Sequence, residues 1–191
     1  MVGVLASKLA GAVGYVESFP MAVSEELRRA REEIVVEHME SENRHEFDVT
    51  LGTFDHPRYE LIGTGDVYDG PHEVARYFEE TRAAFPDQRN ELIAMHHSED
   101  AVIVEANLYG THDGPFRGLP PTGRKFEMRF CAIFVFEEDR LVCERVYFDS
   151  GTILRQLGIA RDPLSLSGRV ATVVNHPVTI GRAVAGQLFR R

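Results

Sequence analysis

The spacing of apolar residues along the chain changes once, close to Pro86. Before this proline, apolar side chains mostly recur every three or four residues, which is typical of amphipathic helices. After it they alternate with polar side chains over long segments, which is typical of strands with one buried face. Helices first and a run of strands afterwards predict an α+β fold rather than alternating strands and helices.

The first helix has the clearest signals. Ser24 can cap it, and Glu25 and Glu26 suit the positive end of a helix. A buried stripe then recurs at helical spacing, formed by Leu27, Ala30, Ile34, Val35, His38 and Met39. Two further helices are predicted before Pro86, over 46–54 and 71–85, and a short one follows the long strands over 153–157.

The strands fall into two groups. Two short strands are predicted over 59–62 and 67–68, and four longer ones over 91–97, 101–109, 126–136 and 141–148. Long strands that follow one another through short turns pair in antiparallel fashion, so we expect an antiparallel meander.

The turn between the last two strands decides which side chains share a face. Glu137-Glu138-Asp139 fits a three-residue loop with Asp139 in the left-handed conformation. This register pairs Ala132 with Glu144 and places even-numbered residues of both strands on one face. The predicted face comprises Met128, Phe130, Ala132, Phe134, Phe136, Val142, Val146 and Phe148, with Glu144 among them. A carboxylate in apolar surroundings can act as acid or base near neutral pH. The alternative is a glutamate at a pocket mouth, paired with an arginine.

His38 is the second candidate for acid–base chemistry. It lies on the buried stripe of the first helix, and its unperturbed pKa of about 6.5 suits proton exchange. A hydrogen-bonded core histidine is the alternative. Its spacing to Glu42, with His45 nearby, is compatible with a metal, but the sequence fixes no third ligand. We therefore predict no metal and no cofactor.

Composition and charge exclude several classes of partner. The 191-residue chain carries a net charge of -9, whereas nucleic acids and anionic membranes attract basic surfaces. We expect neither as a partner. Cys131 and Cys143 sit within apolar, strand-like runs, which favours buried free thiols and a cytoplasmic protein. A disulfide across neighbouring strands stays open.

Several short motifs together resemble one family. They are Gly110-Thr111-His112, Gly118-Leu119-Pro120-Pro121-Thr122-Gly123-Arg124, Tyr147-Phe148-Asp149 and Gln156-Leu157-Gly158, with a long apolar strand and an acidic hairpin between the second and third. As a set they resemble the SnoaL-like polyketide cyclase family, within the nuclear transport factor 2-like superfamily. The resemblance covers about residues 28–158. It implies a cone-shaped half-barrel of curved antiparallel sheet wrapped by helices, an enclosed small-molecule pocket and commonly a homodimer.

The chain departs from the catalytic sets that the resemblance implies. Ala132 stands where such cyclases place an acid–base aspartate. Epoxide hydrolases of the superfamily use one arginine and two aspartates, and the matching positions here are Glu105, Asn107 and Val146. Neither activity transfers directly, because fold alone does not fix function.

The remaining candidate site residues lie on the central strands. His112 ends a strand beside the glycine-rich loop, a region that lines the pocket rim in the resembling family; a surface loop histidine is the alternative. Glu105, Asn107 and Tyr109 share one strand face and are predicted to reach into the pocket, or else to form a solvated face. The predicted catalytic residues are thus Glu144, His38 and His112. The predicted substrate-binding residues are Glu105, Asn107, Tyr109, Met128, Phe130, Phe134, Val146 and Phe148.

These observations predict a cofactor-free enzyme that performs acid–base chemistry on an apolar or carbonyl compound, by cyclisation, isomerisation or dehydration. A non-catalytic ligand-binding protein and an epoxide hydrolase-like enzyme are the alternatives. Cys131, Ile133 and Val135 lack an obvious cover and predict a homodimer through the outer sheet face. We expect an N-terminal extension over 1–22, the SnoaL-like domain over 23–160 and a C-terminal extension over 161–191. A short helix near Pro177 in that extension docks on protein or caps the pocket.

Overall fold

The computed structural model describes residues 23–188. The predicted N-terminal extension lies outside the described residues. The helices are α1 (Glu25–Arg44), α2 (Phe47–Gly52), α3 (Pro71–Ala84), α4 (Ser150–Gln156), α5 (Leu166–Asn175) and α6 (Pro177–Leu188). The strands are β1 (Arg58–Leu61), β2 (Asp66–Asp69), β3 (Arg89–His97), β4 (Ala101–Thr111), β5 (Lys125–Glu137) and β6 (Arg140–Phe148).

The six strands form one curved sheet in the order β2-β1-β6-β5-β4-β3. The pairs from β3 to β6 are antiparallel, which confirms the predicted meander. β1 adds to the outer edge of β6 in parallel, and β2 returns antiparallel to β1. Helix α1 crosses the face of β3, β4 and β6, while α3 lies on β1 and β2. The predicted α+β fold, a helix-wrapped half-barrel, is confirmed.

Local capping accounts for the ends of two helices. The Ser24 hydroxyl accepts a hydrogen bond from the Leu27 amide and starts α1, as predicted. Asp149 caps α4 through the Gly151 amide at 2.9 Å, and it also accepts from the Thr152 hydroxyl. This cap fixes α4 beside the end of β6.

The predicted register of the last hairpin is wrong by two residues. The loop has two residues, and Glu138 rather than Asp139 takes the left-handed conformation, at φ 56°. A bulge follows, in which Leu141 pairs with Phe136 and is buried, while Val142 is left out of the pairing and off the predicted face. Glu144 therefore opposes Phe134, not Ala132. Because side chains alternate with a period of two, a two-residue error keeps Glu144 on the predicted face.

Arg31 ties α1 to both long hairpins. Its guanidinium is buried and donates to the Glu138 carbonyl at 2.7 Å and to the Glu99 carbonyl at 2.9 Å. It also lies over the Phe136 ring, 5.3 Å from the centroid. One side chain thus satisfies two turn carbonyls and holds the helix against the sheet.

The segment after α4 carries two helices. α6 begins at Pro177, as predicted. Large apolar side chains of α5 and α6 stay exposed within the chain, including Val174 and Leu188 at 70% and 71%. No described residue after Leu154 lines the internal cavity, so α6 does not cap the cavity, which was the alternative to docking on protein.

Two other sequence-based expectations can be compared with the described residues. Cys131 and Cys143 are free thiols rather than a disulfide. None of the helices between residues 23 and 188 is long and apolar enough to cross a membrane.

Candidate active site

A cavity of about 660 Å³ lies between the inner sheet face and helices α1 and α3. Its walls are mostly aromatic or apolar, formed by Met39, Tyr77, Phe78, Phe126, Met128, Phe130, Phe134 and Phe148. A volume of this size suits an organic molecule of drug-like dimensions.

A cluster of polar side chains interrupts this apolar lining. The polar cluster consists of His38 and Glu42 from α1, Tyr59 from β1 and Glu144 from β6. Tyr59 and Glu144 are direct neighbours in the parallel β1–β6 pair, so their side chains emerge on the same sheet face. His38 and Glu42 are one helical turn apart and face them from α1.

His38 is the centre of the cluster. Its Nε2 lies 2.6 Å from the Tyr59 hydroxyl and 3.1 Å from Glu144 Oε2, with Glu42 Oε1 at 3.8 Å. The ring is only 1% exposed and meets Phe54 and Phe134 edge-on, each at 5.3 Å between centroids. Proton exchange at Nε2 is therefore confined to these polar neighbours and the cavity.

Thr53 determines which ring nitrogen of His38 carries a proton. The Thr53 hydroxyl donates its one proton to the Thr50 carbonyl at 2.7 Å. It must then accept from His38 Nδ1, 2.8 Å away. Nδ1 is consequently protonated in both charge states of the ring, and Nε2 is the nitrogen that gains or loses a proton.

The two glutamates of the cluster differ in their partners. Glu42 Oε1 accepts from the Tyr59 hydroxyl at 3.1 Å, and Oε2 accepts from the Asn90 amide at 3.1 Å. Glu144 is 6% exposed, and its Oε2, although 3.1 Å from His38 Nε2, has no well-aligned hydrogen bond among the described residues. Because Oε2 is buried against His38, Oε1 is the oxygen that can meet a ligand in the cavity.

The surroundings shift the pKa values of three cluster members. Burial alone would lower the pKa of His38, but the nearby Glu144 and Glu42 carboxylates outweigh it and raise that pKa above its usual value. Burial raises the pKa of Glu42, and the Glu144 charge adds to the effect. Burial also raises the pKa of Tyr59 well above its usual value, so this residue stays a neutral hydroxyl. The raised pKa values of His38 and Glu42 favour keeping a proton on the imidazole and on the Glu42 carboxyl group.

A divalent cation could use the same side-chain atoms. Ligand atoms of His38, Glu42 and Glu144 lie within 4.8 Å of one another. However, the Tyr59 hydroxyl lies 2.6 Å from His38 Nε2, close to where a metal bound to this nitrogen would sit. The hydrogen bonds as they stand define a proton-sharing network.

Buried Arg82 on α3 adds a positive charge beside the cluster. It donates to the Glu42 backbone carbonyl at 3.2 Å and lies over the Phe47 ring at 5.5 Å. Its charge lowers the pKa of Glu42, against the larger effect of burial. Nε and Nη1 are buried without hydrogen-bond partners among the described residues, and the guanidinium is stabilised there by the Phe47 ring and the Glu42 charge.

The structure brings together most, but not all, of the residues predicted for the site. Glu144 and His38 meet directly, and the predicted wall residues Met128, Phe130, Phe134, Val146 and Phe148 all line the cavity. Ala132 also lines the cavity, on β5 two residues from Phe134, which pairs with Glu144.

Four predicted site residues lie elsewhere, which corrects the sequence-based interpretation. Glu105, Asn107 and Tyr109 point to the outer sheet face, because Val104 and Ala106 occupy the inward positions of β4. There Arg129 donates to Asn107 at 3.2 Å and pairs with Glu105.

His112 is fully buried outside the cavity lining. It packs against Phe85 at 5.4 Å between centroids, and its Nδ1 accepts from the Thr122 amide at 3.3 Å. It is a core residue supporting the loop that follows β4.

Sequence reasoning missed Tyr59, Thr53 and Asn90. Tyr59 lay in a predicted strand, but its neighbour Glu144 is far away in sequence and no local pattern reveals a parallel edge pairing. A buried histidine does signal that partners for both ring nitrogens must exist, and that signal could have prompted a search for Thr53.

Solved structures with the same architecture are numerous, and three illustrate the range. IdmH from Streptomyces antibioticus, named as a candidate polyketide cyclase, is 27% identical, covers 67% of this chain and 98% of its own, and superposes with a TM-score of 0.57. A candidate SnoaL-like polyketide cyclase from Jannaschia sp. CCS1 is 18% identical, with 74% and 100% coverage and a TM-score of 0.65. AclR from Streptomyces galilaeus, named as a candidate hydroxylase, is 20% identical, with 70% and 88% coverage and a TM-score of 0.61.

These likenesses define a nuclear transport factor 2-like, ketosteroid isomerase-like fold. The sequence profile of the SnoaL-like polyketide cyclases matches residues 26–157, and the chain belongs to that family. No curated protein shows significant similarity to the chain.

Proposed function

We propose that the protein is a cofactor-free acid–base enzyme that moves a proton on an apolar carbonyl compound and thereby cyclises or isomerises it. The observation that carries this proposal is the contact between His38 Nε2 and Glu144 Oε2, 3.1 Å apart on the wall of an apolar cavity. A carboxylate and an imidazole in such surroundings can exchange protons near neutral pH.

In this mechanism Glu144 is the base. Its Oε1 takes a proton from the carbon next to a substrate carbonyl; the C–H electron pair forms a C=C bond, and the carbonyl π pair moves to the oxygen to give an enolate. For cyclisation, the enolate carbon bonds to a second carbonyl carbon of the same molecule, and the resulting alkoxide takes the proton back. For isomerisation, the proton returns to a different carbon. The imidazolium form of His38 offsets the negative charge throughout.

The hydrogen bonds of the cluster support this division of roles. Both carboxyl oxygens of Glu42 have donors, whereas residues 23–188 offer Glu144 none that is well aligned. Glu144 is therefore the less committed acceptor and the more available base. Ala132 leaves no competing carboxylate at the position where the family resemblance implies one, so Glu144 supplies that function from the neighbouring strand.

Deuterium exchange tests the proposal without the natural substrate. The probe is 2-tetralone, a flat bicyclic ketone with acidic C–H groups, followed by NMR in deuterated buffer containing excess EDTA. We expect the protein to accelerate exchange, and Glu144→Gln to lose about 100-fold or more of that acceleration. Glu105→Gln, a matched change on the outer face, should leave it intact. Absence of acceleration by the unchanged protein, or full acceleration by a folded Glu144→Gln protein, would refute the proposal.

A ligand-binding protein without catalysis is the second candidate, favoured by the nearly continuous aromatic lining of the cavity. Tight binding of flat aromatic compounds without any proton exchange would select it. The epoxide hydrolase-like alternative receives no support, since Glu105 and Asn107 lie on the opposite face of the sheet.

We also propose a homodimer through the outer sheet face. Cys131, Ile133 and Val135 are half-buried there within one chain, and Tyr147 is 43% exposed beside them. Analytical ultracentrifugation should show a dimer that Ile133→Glu dissociates; a concentration-independent monomer would refute it. The two free thiols fit a reducing compartment, and we propose the cytoplasm as the location.

A further inference from the structure

Within the part of the chain that the structure describes, the polar cluster has more hydrogen-bond acceptors than donors. The acceptors are the four carboxyl oxygens of Glu42 and Glu144 together with the Tyr59 oxygen. The donors are the Tyr59 hydroxyl, the Asn90 amide and, when protonated, His38 Nε2. His38 Nδ1–H is already committed to Thr53. Each ionised carboxyl oxygen can accept two hydrogen bonds, so the supply of donors is too small.

The deficit is concentrated on Glu144. Among the described residues, Oε2 is buried against His38 without an aligned donor, so the carboxylate charge is poorly compensated and a ligand donor at Oε1, which faces the cavity, adds a hydrogen bond that it lacks. The residue is more than nine-tenths buried and lines the cavity. The neighbouring side chains on the sheet are Phe134 and Tyr59, and the Tyr59 proton is directed to Glu42 or His38.

We propose that the group bound at Glu144 is a hydroxyl donor of an aromatic or enolic ring, so that the site takes phenols and enols in preference to their ethers and to simple ketones. This inference rests on the proposed function and names its ligand class: an enol is the protonated form of the enolate that Glu144 would generate. The aromatic walls stack the ring, and Glu144 Oε1 accepts the O–H. An ether or a ketone brings only another acceptor to a cluster that already has too many.

Fluorescence titration with matched naphthalenes tests this proposal directly. The chain has no tryptophan, so the emission of 2-naphthol and 2-methoxynaphthalene, excited at wavelengths longer than tyrosine absorbs, can be read without tryptophan background. The cavity is much larger than either compound, so the added methyl group is not excluded by size. A hydrogen bond to a charged acceptor predicts binding of 2-naphthol at least about tenfold tighter than its methyl ether. Competition with 2-tetralone ranks the ketone with the ether.

Variants identify the acceptor. Glu144→Leu should reduce the ratio of the two dissociation constants to near one, and Glu144→Gln should give an intermediate ratio. Unchanged affinity for the methyl ether shows that the variant cavity is still formed, and Glu105→Gln should keep the full ratio. Equal affinities in the unchanged protein, no binding of either compound, or full discrimination in both Glu144 variants would overturn the proposal. Discrimination without deuterium exchange would refute the enzymatic proposal and leave this one standing.

Discussion

Replacing Thr53 by valine should remove the hydrogen-bond acceptor of His38 Nδ1 without altering the shape of the site. The hydroxyl of Thr53 accepts from His38 Nδ1 at 2.8 Å and donates to the Thr50 carbonyl at 2.7 Å. Valine has nearly the same volume and can do neither. The Thr50 carbonyl retains the Thr53 amide at 3.2 Å, so the main loss falls on Nδ1–H, which is left buried without an acceptor.

The magnitude follows from that orphaned donor. A buried unsatisfied group costs about 1–3 kcal/mol, and we take about 2 kcal/mol for Thr53→Val. For a chain of 191 residues this corresponds to a melting temperature lower by about 4–8 °C. Thr53→Ser keeps the hydroxyl and should lose well under half as much. The loss of the acceptor also disfavours the charged ring, so the pKa of His38 should fall in Thr53→Val and not in Thr53→Ser.

Two measurements check the reasoning. Thermal unfolding followed by circular dichroism gives the stability of the three proteins. Long-range proton–nitrogen NMR on histidine-labelled protein, recorded at alkaline pH, reports which ring nitrogen holds the proton. We expect Nδ1–H in the unchanged and serine proteins, and a population with Nε2–H in the valine protein. A valine protein of unchanged stability that keeps Nδ1–H would refute the assignment of the tautomer.

Three further predictions concern the fold and the charge of the site. Leu141→Ala should cost about 2–5 kcal/mol because Leu141 is fully buried, and Val142→Ala much less; similar costs in chemical denaturation would contradict the observed bulge. Because the pKa of His38 is raised in the folded protein, the contribution of His38 to stability is complete below about pH 6.5 and is lost as the pH rises through the folded pKa. His38→Gln should therefore make the free energy of unfolding fall less steeply over this pH range. An unchanged pH dependence of the free energy of unfolding would contradict this prediction. Asp149→Ala should cost about 1 kcal/mol and increase hydrogen exchange in α4, whereas Asp149→Asn should keep the cap; equal behaviour of the two variants would be inconsistent with capping.

Local signals in the sequence were sufficient for the individual elements. Ser24 with the stripe through Val35 and His38 located α1, and the alternation in β5 and β6 found the inward face with Glu144 on it. The hairpin was less accessible, because a glutamate rather than the expected Asp139 adopts the left-handed conformation and the bulge at Leu141 leaves no compositional trace. The prediction that Glu144 faces inward was still correct, since a shift of two residues leaves each side chain on the same face of the sheet.

Contacts between segments that are far apart in the chain could not be predicted from the sequence. The β1–β6 pairing that brings Tyr59 beside Glu144 depends on the whole sheet being folded. For the odd-numbered residues of β4, the sequence-based interpretation chose the wrong face of the sheet. Asn107 and Tyr109 are polar residues on a strand of a pocket-forming sheet, and only the burial of Val104 and Ala106 reveals which face is inside.

The tether formed by Arg31 has a consequence for the order of folding. Its two hydrogen bonds join residues that are 107 and 68 positions apart, and both acceptor carbonyls reach their positions only after the two hairpin turns have formed. Closing such long loops is entropically costly and typically slow. We therefore expect α1 to consolidate after the meander, and interactions of Arg31 to be weak in the rate-limiting transition state. His38 lies two turns further along the same helix, so the polar cluster would be completed among the last events of folding.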